Sequence, residues 1–162
     1  LELSLEKTKS LEFGRYARAN ARKSGQKPKE FTFLGFTHYC GKTRHGHFKV
    51  KRRTSRKKLA ESLRKFTEWA KSAKQVSRKG EMLRSAKRRV QGHLNYYAVT
   101  DNWEKCAIYH YHATRILFKW LNRKSQRRAY TWDGYNQALD WIRWPRVIIR
   151  KDLNPFRRVK AI

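Results

Sequence analysis

The chain has 162 residues, with 41 Lys and Arg against 12 Asp and Glu, for a net charge of +29. That length fits one domain, or one domain plus part of another. So large an excess of one sign opposes compaction and points to a polyanionic partner, nucleic acid first and a membrane surface second.

No run approaches the roughly 18 apolar residues of a spanning helix. No signal peptide is visible, and a cytoplasmic location is the expectation. Two cysteines, Cys40 and Cys106, exclude a disulfide framework and a four-thiolate zinc site.

The first residues, "LELSLEKTKSLEF", alternate apolar and polar and predict strand, turn, strand with no lead-in. This suggests the tail of a longer protein. Residues 14–30, "GRYARANARKSGQKPKE", are basic and contain Gly and Pro, so they predict an exposed loop or insertion.

"FTFLGFTHYCGKTRHGHFKV" follows, and it contains the Gly41-Lys42-Thr43 ending of a phosphate-binding loop. That loop needs a Gly five residues earlier and a helix afterwards. Phe36 stands in the Gly position, and "RHGHFKVKR" alternates like a strand. The stretch is better read as two short strands joined by a turn through Gly41 to Gly46. Cys40, His45 and His47 offer metal-ligand types, and a standalone metal nuclease using them is one alternative. With no fourth ligand at a recognised spacing, the histidines read as solvated turn residues.

From Ser55, a good N-cap, the period changes. Leu59, Leu63, Phe66, Ala70 and Ala73 mark one face of a helix of about five turns. "QVSRKGE" interrupts the pattern. A second helix runs from about Glu81 to Tyr97, with Leu83, Ala86, Val90, Leu94 and Tyr97 inward and Arg84, Lys87, Arg88 and Gln91 opposite. Asp101, with Glu104 three residues on, predicts a capped start to a third helix from Trp103 to about Arg123. That helix is apolar nearly all round, through Ala107, Ile108, Tyr111, Ile116, Leu117, Phe118, Trp120 and Leu121, as expected of a central helix. His110 and His112 flank Tyr111 and point to different faces. After a basic link, Thr131 caps a fourth helix with Tyr135, Ala138, Leu139 and Ile142 inward, stopping near Pro145. A short strand-like segment and a loose basic end follow.

The fold class expected is α+β: a small hairpin-rich piece over residues 1–53, a helical bundle over 54–143 and a basic tail over 144–162. Between Lys42 and Arg89 stand 19 basic and 3 acidic residues. With Tyr, Phe and Trp interleaved on amphipathic helices, the cations suit structured RNA or an RNA–DNA duplex. The predicted phosphate contacts are Arg52, Arg53, Arg56, Lys57 and Lys58 near the first helix start, and Arg84, Lys87 and Arg88 on the second. The twelve carboxylates are scattered, with no two-metal cluster and no Gly-x-Ser-x-Gly elbow. Tyr97 lies on the apolar stripe, whereas Tyr96 is free to stack on a base or lie on the surface.

"LELSLEKTK", "LEFGRYA", "FTFLGFTHYCGKTRHGHFKVKRRTSRKKL" and "LRSAKRRVQGHLNYYAV", in that order, closely resemble the C-terminal part of group II intron-encoded proteins, which are reverse transcriptases and maturases. The resemblance covers nearly the whole chain. It implies that Lys7-Thr8 ends the palm and that Phe33, Leu34, Gly35 and Phe36 form the primer grip. It implies a thumb, or domain X, over the helices, with Gly92 to Tyr97 as a maturase-specific segment whose Asn95 and Tyr96 contact RNA. The implied partners are a group II intron RNA, an RNA–DNA primer-template duplex, and fingers and palm of the same protein preceding Leu1. The Tyr-Ala-Asp-Asp motif is absent here, so magnesium belongs to the parent polymerase and no catalytic residue or cofactor to this chain. A decayed intron-protein fragment acting as a general nucleic-acid binder is the alternative.

Overall fold

A computed structural model describes residues 10–123 and 130–150. Of the strand-turn-strand reading over residues 1–13, residues 1–9 lie outside them, as do the Lys7-Thr8 resemblance, the basic link over 124–129 and the chain end from 151; the second strand expected at Leu11 and Phe13 is absent, since residues 10–13 form no strand. The fold is α+β, in the order α1 (Ala17–Lys23), β1 (Phe31–Phe33), β2 (Phe36–Lys42), β3 (Phe48–Thr54), α2 (Arg56–Val76), α3 (Lys79–Tyr97), α4 (Trp103–Asn122) and α5 (Trp132–Trp141). It divides into two compact units, residues 1–53 and 54–162. No helix among the described residues is long and apolar enough to cross a membrane.

In the first unit, α1 replaces the expected loop. "ARANARK" consists of alanine, arginine and lysine, all strong helix formers, with Asn20 the one weak residue, and the Gly and Pro that suggested a loop bracket the helix rather than interrupt it. Gly25, at φ +67°, ends it: its N–H donates to Arg22 O and that of Gln26 to Ala21 O, the two bonds of a Schellman cap.

The sheet is antiparallel between β1 and β2, in the order β1-β2-β3, with Phe31 opposite His38 and Phe33 opposite Phe36. Two turns, not one, build it. Leu34 and Gly35, at φ 47° and 81°, close a two-residue hairpin whose positive angles match the strand twist. β2 continues through Gly41 and Lys42, so the expected turn shifts to Thr43–His47, closed by Thr43 N–H on His47 O at 2.7 Å.

The second unit is a helical bundle. Ser55 caps α2 by accepting from Lys58 N–H. A two-residue link makes α2 and α3 an antiparallel hairpin. Phe66, Ala70 and Ala73 of α2, Met82, Leu83, Ala86, Val90 and Leu94 of α3, and Cys106, Tyr109, Ala113, Leu117 and Leu121 of α4 share one core with Tyr135, Leu139 and Ile142. Each fully buried leucine there contributes about 1.5–3 kcal/mol. α4 packs against both α2 and α3, but it is sided: Tyr111 is exposed, unlike the all-round burial expected.

The start of α4 also differs. Asp101 sits in the left-handed region at φ 72°, and Asn102 is the residue at the cap position. The Asn102 side chain is fully buried and bonds elsewhere. Its carbonyl accepts from Thr54 N–H at 2.7 Å, and its amide donates to Thr54 Oγ1 at 2.7 Å and Tyr97 O at 2.8 Å. One side chain thus ties the entry of α2 to the exit of α3.

Residues 144–150 form no strand. Trp144, Val147 and Ile149 pack on the helical core, Trp144 Nε1 donates to Thr114 Oγ1, His110 Nε2 lies 2.8 Å from Pro145 O, and Arg150 N–H donates to Ala98 O.

Candidate nucleic-acid interface

The predicted cations separate into those already engaged and those facing solvent. Arg53 grips Glu30 with both contacts short, at 2.8 and 3.0 Å, and lies 4.8 Å from the centroid of Tyr39. It is therefore part of the first unit's internal structure rather than a ready phosphate ligand. Arg52, on the same strand, is half-buried.

Arg56, Lys57 and Lys58 are exposed at the start of α2. Lys58 pairs with Glu61 at 3.0 Å, and Lys65 holds the same carboxylate at 2.8 Å. Hydrogen bonds from Lys65 and then Lys58 draw the Glu61 carboxyl down to about 2, and the Glu61 bond holds the Lys58 ammonium above its ordinary value. Arg56 and Lys57 make no ion pair among the described residues.

On α3, Arg84 and Arg88 are four residues apart, exposed and likewise without an ion pair among the described residues. Lys87 corrects the sequence reading. It is half-buried, and its Nζ donates to Ile142 O at 2.7 Å, capping the end of α5. A cation that satisfies a helix carbonyl is a tertiary fastener.

Arg56 and Lys57 stand at the open end of the α2–α3 hairpin, whereas Arg84 and Arg88 stand further along it, between the start and the middle of α3. Tyr97 feels the charges of Lys58 and Glu61, so the end of α3 meets the start of α2. Arg88 and Arg84 lie nine and thirteen residues back along α3, roughly 14–20 Å at 1.5 Å per residue. Only a ligand presenting phosphates over that span engages both pairs.

The Gly92–Tyr97 segment splits by face. His93 and Leu94 turn inward, and His93 stacks on Tyr109 with centroids 3.5 Å apart. Asn95 is exposed, accepts from Gln91 Nε2 at 2.8 Å, and lines a cavity of about 540 Å³ with Arg146 and Arg150. Tyr96 is 51% exposed and meets Tyr97 edge-on at 4.7 Å.

The proposed grip residues also divide. Phe33 and Leu34 are exposed at the β1–β2 tip, Gly35 completes the turn, and Phe36 is buried beneath it. Cys40 is buried against Gly14 O, whereas His45 and His47 face solvent. Among the described residues no three His, Cys, Asp or Glu converge on a metal position.

Sequence reasoning missed the cations seated on aromatic rings. Arg89 lies 4.7 Å from the Trp69 centroid, Lys74 and Arg123 lie 5.1 and 5.5 Å from Trp120, and Arg115 lies between Tyr111 and Trp132. Arg89 beside the Val90 core position was the one legible signal, since a helix turn places it at the edge of the apolar stripe.

No family model matches the chain, and neither a curated protein nor a solved structure matches it.

Proposed function

We propose that the chain binds structured RNA through the α2–α3 hairpin, as the thumb region of a protein of the group II intron maturase and reverse-transcriptase kind. The observation that carries the reading is the exposed pairs Arg56/Lys57, at the open end, and Arg84/Arg88, further along α3, on one helical hairpin. Guanidinium groups fit phosphate in a bidentate manner, and helix hydrogen bonding fixes the spacing between the pairs. Arg56 and Lys57 also sit in the first turn of α2, where amide N–H groups without a helical partner add to the positive field. The exposed Phe33-Leu34 tip is the surface such a protein would offer to a primer-template duplex. Any catalytic magnesium would be held by aspartates in the preceding palm, and in this reading the chain acts by binding alone.

The test is a salt titration of binding to a folded intron RNA and to a duplex of equal length. If the four cations neutralise four phosphates, they contribute a slope of roughly −3 to −4 in log K against log salt. Arg84→Ala/Arg88→Ala is expected to flatten the slope by about 1.5 and weaken all RNAs similarly. Lys87 is left intact, because its loss would perturb α5. An unchanged slope in that variant places RNA binding elsewhere and refutes the reading.

A further inference from the structure

The first unit holds a second concentration of positive charge, and it is concave. β1 pairs only with Phe36–His38 of β2, and residues Tyr39–Lys42 run on beyond it. α1 and these β2 residues line adjoining hollows that share Arg18 and Lys42. Arg15 and His47 line one of about 390 Å³; Lys27 and Lys51 line the next; Arg15 and Arg22 line the third. Arg18 and Arg22 stand four residues apart and therefore share a face of α1.

The carboxylates nearby are already committed. Glu30, at the rim, is held by Arg53 through both oxygens, and Glu12 accepts from Asn20, on a different face of α1 from Arg18. Gly41 has a part in the shape. A Cβ there would stand 2.8 Å from Lys51 Cδ and 3.0 Å from its Cγ. The glycine lets the lysine stem cross the strand and reach the groove. The Gly41-Lys42-Thr43 tripeptide thus contributes to charge placement without a phosphate-binding loop.

We propose that this α1–β2 groove is a second nucleic-acid site, which takes consecutive backbone phosphates of a single RNA or DNA strand through Arg15, Arg18, Arg22 and Lys42. Like charges gathered around a hollow repel one another, and a strand that threads it relieves that repulsion while releasing counterions. Guanidinium forks on one helix face meet successive phosphates; Phe48 and Tyr39 also line the hollows, and a ring face stacks on any base without selecting it, so the site follows the backbone. The proposal rests on the nucleic-acid reading above for the class of ligand, and on none of its residues.

The experiment uses the full chain and a short labelled single strand, with anisotropy read between roughly 50 and 200 mM salt. Arg18→Ala/Lys42→Ala alters only exposed side chains, and an unchanged thermal melt confirms the fold. The expected result is a slope flatter by about 1.5 for the short strand, where Arg84→Ala/Arg88→Ala leaves the slope unchanged. Arg18→Lys keeps the charge and is expected to keep the slope. If the groove variant leaves slope and affinity unchanged, the groove is only solvated surface and the proposal falls, whatever α3 does. If the groove variant flattens the slope on the short strand and the α3 variant does not flatten it on the folded RNA, the groove stands and the α2–α3 reading falls. ATP and tripolyphosphate, titrated separately, distinguish a strand from a free polyphosphate. Saturable ATP binding that the groove variant loses would overturn the strand assignment.

Discussion

His93 offers the sharpest test of the helical core. Its ring is stacked on Tyr109 and tilted against Tyr97, at 3.5 and 4.6 Å, and its Nε2 is buried without a hydrogen-bond partner among the described residues. Burial pushes its pKa down to about 4, and no carboxylate is among the causes to restore the charged form. In the unfolded chain the ring returns to about 6.5. The native state therefore binds this proton more weakly than the unfolded state. The neutral ring costs nothing above pH 6.5, stability falls as pH drops below 6.5, and the loss is complete below about 4. At 1.36 kcal/mol per pH unit, the full loss is about 3 kcal/mol, of which about 2 kcal/mol is reached at pH 5. Burial lowers the His110 pKa as well, so it acts in the same sense. Carboxylates also titrate in this range, so the clean measurement is a difference. Urea unfolding of wild type and His93→Phe, which keeps an aromatic ring against Tyr109, is compared at pH 7.5 and pH 5. The gap between the two proteins is expected to move by about 2 kcal/mol in favour of the phenylalanine variant on acidification. Parallel pH profiles, or an NMR titration of His93 near 6.5, would refute the burial argument.

Two further perturbations probe how the bundle is fastened. Asn102→Leu strands the buried Thr54 N–H and hydroxyl, while the Tyr97 carbonyl keeps its bond from Val99 N–H, so urea unfolding is expected to show a loss of about 2–4 kcal/mol; a loss below about 1 kcal/mol would mean the two Thr54 groups find other partners. Arg143 occupies the left-handed position of a Schellman cap after α5, at φ 54°, with its N–H on Asp140 O and that of Trp144 on Leu139 O. Arg143→Gly is expected to raise stability by about 1 kcal/mol, and a lower melting temperature would show that the arginine side chain outweighs its backbone strain.

The parts legible in sequence were those governed by local periodicity. Ser55 followed by apolar residues at helical spacing placed α2, and Thr131 with Tyr135, Ala138 and Leu139 placed α5. α1 escaped because it has little apolar stripe to detect: Ala17 is its only buried residue. The Leu34-Gly35 turn escaped because leucine is a poor marker of positive φ, where Asn or Asp would have signalled it. The candidate interface was legible in sign and not in membership. Glu30 is 23 residues from Arg53 and Ile142 is 55 from Lys87, and no local pattern carries such pairings.

These pairings decide how charge turns into function. With 41 cations and 12 carboxylates, most Lys and Arg side chains have no acidic partner to find. The fold seats some on ring faces instead: Arg89 on Trp69, Lys74 and Arg123 by Trp120, and Arg115 between Tyr111 and Trp132. Each such contact is worth about 0.5–1 kcal/mol at an exposed site, and it shields apolar rings that would otherwise face water. A cation so placed contributes to the long-range field but must leave its ring to grip a phosphate. The net charge therefore overstates the number of phosphates the chain can neutralise, and the salt slope should count side chains held by neither a ring nor a carboxylate. Arg56, Lys57, Arg84 and Arg88 in the helical unit, and Arg18 and Arg22 on α1, belong to that count, as do Arg44, Lys71 and Lys79; removing a counted cation that meets a phosphate flattens the slope, whereas removing Arg89 from its ring flattens it only if ligand binding strips that cation from Trp69.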